Sequence, residues 1–185
     1  MHVDSFTRFS GSTIVMIVLI AALSITGSLA FACAAPLAAI AALAAFSMSR
    51  KTGLALVVTA WLSNQLVGFG LLHYPQTFDT FAWGAALGVS TIVAFLVAHT
   101  VVQRMHGQAL ALTLPVAFLI AFAFYQLALY VMGMPLEGSE ATLLGAVVAR
   151  VFEVNLVSFA ALVVFQWAWS HFARSESAER VSSAA

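Results

Sequence analysis

The sequence predicts an all-α integral membrane protein, a polytopic bundle of six transmembrane helices. The first supporting observation is composition: 63% of the 185 residues are hydrophobic, 8% are charged, and the mean hydropathy is +1.04. A soluble domain needs more charged surface than this chain supplies. The second observation is that two polar breaks, 73–79 and 134–140, contain no lysine or arginine. Because positive charge near membrane segments is retained in the cytoplasm, we expect both loops on the outer side.

The predicted helices follow from the lengths of the apolar runs and from the breaks between them. The run from Ser12 to Met48 exceeds one crossing, since a helix rises about 1.5 Å per residue and the hydrocarbon core is about 30 Å thick. Pro36 supplies the break, because proline fits the first turn of a helix and disfavours helix in the residue before it. The six predicted helices cover residues 13–31, 36–48, 54–72, 78–98, 109–132 and 141–169.

Both termini are predicted to be cytoplasmic, because the cations of the breaks and termini fall on one side of this map. Residues 1–174 then form a single transmembrane domain, and the polar segment 175–185 is expected to be a disordered cytoplasmic tail. An alternative is that Ala32-Cys33-Ala34 is the cleavage site of a signal peptide, although the first apolar run exceeds the ~7–15 residues of a signal core. The cations on the inner side are Arg8, Arg50, Lys51, Arg104 and Arg174.

Composition and motifs exclude several classes of function. The net charge of zero, with seven lysines and arginines spread over the chain, argues against a nucleic-acid partner. A single cysteine, Cys33, excludes a disulfide framework. No His-Glu-x-x-His, Gly-x-Ser-x-Gly or phosphate loop occurs, so neither an enzyme nor a cofactor is predicted. There is no ATP-binding domain, so active uptake would need a partner subunit or a gradient.

Polar residues inside the predicted helices are the candidates for a binding site. Arg150 and Glu153 are three positions apart on one helix face, and we expect them to form a buried ion pair. Asn64, Gln65 and Gln126 come at about 11 Å below the outer loops, and Arg150 at roughly 13 Å. Polar groups that converge within apolar walls favour a small-molecule pocket. The alternative is that these groups bond one another and hold the bundle together.

Aromatic side chains accompany this polar layer, and Tyr74 is added to the candidate binding residues. Trp61, Asn64, Gln65 and Gly68 share one helix face, where glycine allows close approach of a neighbour or a ligand. The alternative for the aromatics is a belt at the membrane interface. The aromatic residues near the layer are Trp61, Tyr74, Trp83, Tyr125 and Tyr130.

His73 is the histidine of the predicted outer loops. It is a candidate to coordinate a metal only if the bound small molecule contains cobalt. Neutral imidazole is a common ligand for metals of this kind. Capture of free nickel or cobalt would normally use closely spaced histidine or carboxylate ligands, which this sequence lacks. The alternative is that His73 is a solvated loop residue.

The chain resembles the substrate-binding S components of energy-coupling-factor vitamin transporters over Thr13 to Trp169. The resemblance lies in six helices, in Ala-x-x-x-Ala spacings such as Ala34, Ala38 and Ala42, and in the turn Arg50-Lys51-Thr52-Gly53. The stretch from Asn64-Gln65 to His73-Tyr74-Pro75 is similar to the solitary cobalamin-binding type of proteobacteria. That type is associated with a cysteine ligand to cobalt, and this loop contains none, which leaves His73 as the candidate substitute.

The resemblance implies an uptake protein of the bacterial cytoplasmic (inner) membrane that binds a vitamin-like ligand, with cobalamin as the lead, in an outward-facing pocket. It also implies docking of an energising membrane subunit with an ATPase. Two alternatives stay open: a non-transporting subunit that assembles or stabilises a larger complex, and a metal-ion permease. The predicted substrate-binding residues are Asn64, Gln65, His73, Tyr74, Gln126, Arg150 and Glu153.

Overall fold

The computed structural model describes residues 35–140 and 144–183, with side chains as far as Ala168. These ranges contain helices and no strand, which confirms the all-α class for the described chain. The predicted helix 13–31 and the alternative cleavage site at Ala32-Cys33-Ala34 lie outside the described residues. The helices are α1 (Leu37–Ser47), α2 (Arg50–Leu66), α3 (Phe78–Arg104), α4 (Leu110–Gly133) and α5 (Gly145–Ser183), and a π-helical segment (Val67–Leu71) continues α2.

Four helices of the described chain are long and apolar enough to cross a membrane, so the protein is a multi-pass membrane protein. The helix α1 has 11 residues and is about 16 Å long, roughly half of the hydrocarbon core. The four spanning helices are Arg50–Leu71, Phe78–Arg104, Leu110–Gly133 and Gly145–Ala168.

The observed bounds differ from the predicted ones mainly where a helix extends past the apolar segment into polar residues. The helix α2 begins at Arg50 rather than Leu54, because the Ser49 hydroxyl accepts a hydrogen bond from the backbone N–H of Thr52. At the end of α3 the helix continues to Arg104, and the backbone turns at Gly107, whose φ is +91°. The helix α5 runs to Ser183, through most of the predicted tail 175–185.

The short helix α1 forms the centre of the bundle. Every residue from Leu37 to Ala45 is at most 2% exposed, and α2, α3, α4 and α5 all contact this helix. From Leu37 to Ala45 its sequence places two alanines after each of Leu37, Ile40 and Leu43. This pattern leaves little side-chain volume, so the four spanning helices approach its backbone closely. Large side chains from the surrounding helices, among them Phe95 and Tyr125, complete the core.

Apart from the Arg150–Glu153 pair on α5, the charged side chains that the structure describes lie near the two ends of the bundle. We call the end that carries Asp79, Glu137 and Glu140 the acidic end, and the end that carries Arg50, Lys51 and Arg104 the basic end. The helix α1 lies in the half next to the basic end, because Ser47 is followed at once by Met48, Ser49 and α2. We call the two halves of the bundle the basic half and the acidic half.

Candidate functional site

The N-terminus of α1 lies inside the bundle and is held there by Asn155 of α5. The first backbone N–H groups of a helix have no partner within the helix, and in an apolar interior each of them needs one. Asn155 Oδ1 accepts a hydrogen bond of 3.0 Å from the N–H of Ala39, and Asn155 Nδ2 donates to the carbonyl of Val151 at 2.8 Å. Asn155 is fully buried, so its amide acts as an internal cap for a helix that starts within the protein.

The C-terminal end of α1 is held by side chains of α3 and α5. His99 Nδ1 lies 3.2 Å from the carbonyl oxygen of Ala45, and its ring stacks on Phe95 with 5.6 Å between centroids. Ser47 and Gln166 bond each other: Gln166 Nε2 donates to Ser47 Oγ at 2.8 Å, and the hydroxyl donates to Gln166 Oε1 at 3.1 Å. Both termini of α1 are therefore fixed by polar side chains of its neighbours.

These contacts place the start of α1 near the middle of the bundle. Asn155 comes ten positions after the start of α5 at Gly145, which corresponds to about 15 Å. The length of α1, counted back from the basic end, gives a similar level of about 16 Å. Among the described elements, the acidic half is therefore built from α2, the π segment, α3, α4 and α5, without α1.

In the acidic half, aromatic rings of one helix pack on glycines of another. Trp61 of α2 lies on Gly88 of α3, where an added methyl carbon would come within 2.6 Å of the indole ring. The Trp61 Nε1–H donates to the carbonyl of Gly84 at 2.8 Å. In the same way Trp83 packs on Gly133 of α4, and its Nε1–H donates to the carbonyl of Glu137 at 3.1 Å. Both rings therefore join neighbouring helices, and the belt at the membrane interface stays an alternative for the other aromatic residues.

Gln65 and Tyr74, two of the predicted binding residues, take part in this packing. Gln65 lies against Gly84 of α3, with its Oε1 at 2.5 Å from the position of an added methyl carbon. Tyr74 covers Gly68 in the π segment and meets Phe69 edge to face, with centroids 6.3 Å apart. Short π-helical segments are frequent at functional sites, because the extra residue redirects the side chains of a helix.

Asn64 of α2 and Gln126 of α4 are half-buried. Their distances from the acidic end of the bundle are similar, as predicted from the sequence. Gln126 is seven positions before the end of α4, about 10 Å from it, and Gln65 is six positions before the end of the π segment, about 9 Å. The predicted pocket that joins these residues stays a prediction. The structure establishes that Gln65 faces α3.

The prediction of a buried Arg150–Glu153 pair is wrong with respect to burial. The two side chains do pair, with 3.6 Å between Arg150 Nη1 and Glu153 Oε2, but they are 58% and 66% exposed. On α5 the positions that face α1 belong to Asn155, Phe159 and Leu162, which are buried. Arg150 and Glu153 lie on the opposite stripe of the helix, and Arg150 is five positions, about 8 Å, from its start rather than 13 Å. At that level long charged side chains can reach the polar interface.

His73 lies in the loop between the π segment and α3, is exposed, and has a φ of +53°. A left-handed backbone is uncommon for a residue with a side chain and indicates a locally constrained loop. Within the described residues no group of three or more His, Cys, Asp or Glu side chains is close enough to hold a metal ion.

Sequence reasoning missed the role of Asn155 and the contact of His99 with the end of α1. A single asparagine between Val154 and Leu156, in an otherwise apolar run, is the signal that could have identified Asn155. The second signal was the short helix after Pro36, whose N-terminal N–H groups need an acceptor if they start below the membrane surface.

Comparisons of the chain with protein-family models, with curated proteins and with solved structures found no match.

Proposed function

We propose that this protein is a membrane uptake protein that binds a small vitamin or cofactor in the acidic half of its bundle. The observation that carries the proposal is the half-length helix α1, which is buried on all sides and starts near mid-depth. Helices that begin or end within the membrane are typical of transporters, where the substrate binds near the midplane. Backbone that starts a helix at that depth is tolerated where it is buried in protein or lines a cavity.

The ligand class follows from the polar side chains of the acidic half and from the resemblance to vitamin-binding S components. Asn64, Gln65 and Gln126 supply amide groups that both donate and accept hydrogen bonds, as suits a neutral polar ligand. His73 and Tyr74 lie in or next to the loop at the acidic end. A corrinoid such as cobalamin is the lead, with His73 as the cobalt ligand. Arg150 and Glu153, the other two predicted lining residues, pair with each other on an exposed stripe of α5.

The proposed orientation has the acidic end outside and the basic end in the cytoplasm, in a bacterial inner membrane. It is supported by Arg50, Lys51 and Arg104 at one end of the described helices and by loops without lysine or arginine at the other. With the apolar segment 13–31, the proposal counts six helices with both termini inside. Uptake would be driven by an energising membrane subunit with an ATPase.

Binding of cyanocobalamin to the purified protein tests the proposal. We expect a saturable heat signal in titration calorimetry, and a corrinoid or another cofactor in the native mass spectrum of gently purified protein. The His73→Ala variant should weaken binding and change the visible spectrum of the bound corrinoid. The His106→Ala variant is the matched control, since His106 is exposed at the basic end. His99 is unsuitable as a control because it contacts the carbonyl of Ala45. A wild-type protein that binds no corrinoid and carries no cofactor would exclude the proposal, whereas normal spectra in His73→Ala would remove the ligand role of His73 alone.

One observation favours the alternative of a subunit that assembles or stabilises a larger complex. The exposed stripe of α5 places an Arg–Glu pair on the outside of the described bundle, where a partner protein could form ion pairs with it. Reversing both charges, with Arg150→Glu and Glu153→Arg, would then disrupt co-purification of the partner. The metal-ion permease has no supporting observation among the described residues.

A further inference from the structure

A cavity of about 370 Å³ opens in the basic half, at a distance from the proposed vitamin site. It lies between the C-terminal end of α1, the first turns of α4 and the later part of α5. Phe46, Leu110 and Leu114 form one side, and Gln166 and Trp167 contribute to the other. Because Leu110 is the first residue of α4, the cavity lies close to the basic end of the bundle.

The polar lining residue of this cavity, Gln166, already has a partner. Its carboxamide is bonded to the Ser47 hydroxyl through both Nε2 and Oε1. The other lining residues are hydrocarbon or aromatic side chains. A ligand with polar groups would lose its own hydration here without gaining hydrogen bonds, which is unfavourable, whereas a hydrocarbon chain loses nothing. The cavity therefore fits an apolar chain.

The cavity opens toward the outside of the bundle. Val164 and Trp167 line it and are 64% and 66% exposed, and Leu110 at its other edge is also exposed. A multi-pass membrane protein is surrounded by the bilayer. The opening of the cavity therefore faces the part of the acyl chains that lies just below the head groups. A chain can enter the cavity from the side without leaving the hydrocarbon.

The charges around the opening indicate which lipid is favoured. Arg50 and Lys51 follow α1 within a few residues of Phe46, and Arg104 precedes the loop that leads to Leu110. All three are exposed. The carboxylate side chains that the structure describes, Asp79, Glu137, Glu140 and Glu153, belong to the acidic half. Beyond Ala168, α5 carries Glu176 and Glu179 together with Arg174 and Arg180, which add no net charge. Clusters of lysine and arginine at the membrane surface attract anionic head groups.

We propose that this cavity holds an acyl chain of an anionic phospholipid whose phosphate lies at the cations of the basic end. The protein would thus carry a lipid site in the basic half and a vitamin site in the acidic half, and the two sites are independent of each other. Phosphatidylglycerol is the probe for this site.

Native mass spectrometry of the protein released from nanodiscs tests the proposal. Leu114→Trp fills the cavity, and Leu119→Trp is its matched control, because Leu119 belongs to the same helix and is 54% exposed. We expect wild type and Leu119→Trp to retain one phosphatidylglycerol at a collision energy that removes bulk lipid. The Leu114→Trp variant should retain at least tenfold less. Equal retention by a folded Leu114→Trp protein would overturn the proposal. A mass spectrum that shows a dimer of the chain without bound lipid would also overturn it.

A second measurement covers the case in which Leu114→Trp does not fold. The preference for phosphatidylglycerol over phosphatidylcholine is compared between wild type and the variants Arg50→Gln and Lys51→Gln, which leave the cavity walls intact. Each cation near the surface contributes about 1 kcal/mol to anionic lipid binding, so each substitution should reduce the preference about fivefold. A wild-type protein that retains phosphatidylcholine as well as phosphatidylglycerol would contradict the proposed head group. Cyanocobalamin binding, measured on the same samples, reports separately on the proposed function.

Discussion

The two halves of the bundle are held together by different kinds of contact. In the basic half, alanines of α1 allow close packing, and Asn155, His99 and Gln166 bond to the residues at its termini. In the acidic half, Trp61 and Trp83 pack on glycines of the next helix. The difference follows from where helices end. A helix that starts in an apolar interior needs partners there for its terminal backbone groups. A helix that crosses the full width satisfies its backbone internally and can pack mainly by complementary shape.

The largest expected effect is that of Asn155→Ala. This change leaves the N–H of Ala39 without its acceptor, at a cost of about 1–3 kcal/mol, and the cavity left by truncation adds to it. Leu156→Ala, on an exposed position of the same helix, should change the free energy of unfolding much less. Unfolding by sodium dodecyl sulfate in mixed micelles, followed by circular dichroism, measures both. Similar losses in the two variants would mean that the internal cap does not stabilise α1.

The contacts of the acidic half are tested by Gly88→Ala. The added methyl would come within 2.6 Å of the Trp61 ring, and overpacking of this kind costs about 1–3 kcal/mol. Gly70→Ala is the control, since no atom lies within 4 Å of the corresponding position. If the close contact is the cause, Trp61→Leu should restore part of the stability lost by Gly88→Ala. Additive losses in the double variant would argue against it.

A smaller effect is expected for His99→Phe. The substitution keeps an aromatic ring next to Phe95 but removes the hydrogen bond to the carbonyl of Ala45. Hydrogen bonds between membrane helices contribute about 0.6 kcal/mol on average, and the free energy of unfolding should fall by about that amount. His106→Phe, outside the packed helices, should leave it nearly unchanged. A loss as large as that of Asn155→Ala would show that the two termini of α1 contribute equally.

The smallest effect is expected at the exposed pair of α5. Arg150→Gln and Glu153→Gln should each change the free energy of unfolding by no more than about 1 kcal/mol, because exposed ion pairs contribute little. The double variant should differ little from either single one. Losses of about 3–5 kcal/mol in the single variants, recovered in the double variant, would be those of a buried pair and would contradict the observed exposure.

The sequence predicted the elements well where a local signal bounds them. Pro36 and the cations after Ser49 bracket α1, and its observed bounds lie within one residue of the predicted ones. The ends of α3 and α5 were predicted too early, since the apolar run stops before the helix does and no glycine or proline interrupts it. The membrane class followed from composition, which is an average over the whole chain and tolerates local errors.

The contacts of the site were less predictable, because their partners are distant in sequence. Asn155 and Ala39 are 116 residues apart, and no local pattern connects them. The shared face of Trp61, Gln65 and Gly68 could be read from helical spacing, but Gly84 and Gly88 as their neighbours could not. The same limit explains the error at Arg150 and Glu153. Spacing predicted that they meet, whereas their orientation depends on which face of α5 packs against α1.

The separation of charge between the two ends has a consequence for a protein in an energised membrane. In the proposed orientation the cations Arg50, Lys51 and Arg104 face a cytoplasm that is electrically negative, and Asp79, Glu137 and Glu140 face the positive side. Moving one elementary charge across the membrane potential is worth about 2.3 kcal/mol per 100 mV. Inverting the bundle would transfer all of these charges against the field, at roughly 14 kcal/mol per 100 mV. For the proposed orientation, the membrane voltage therefore disfavours inversion of the bundle.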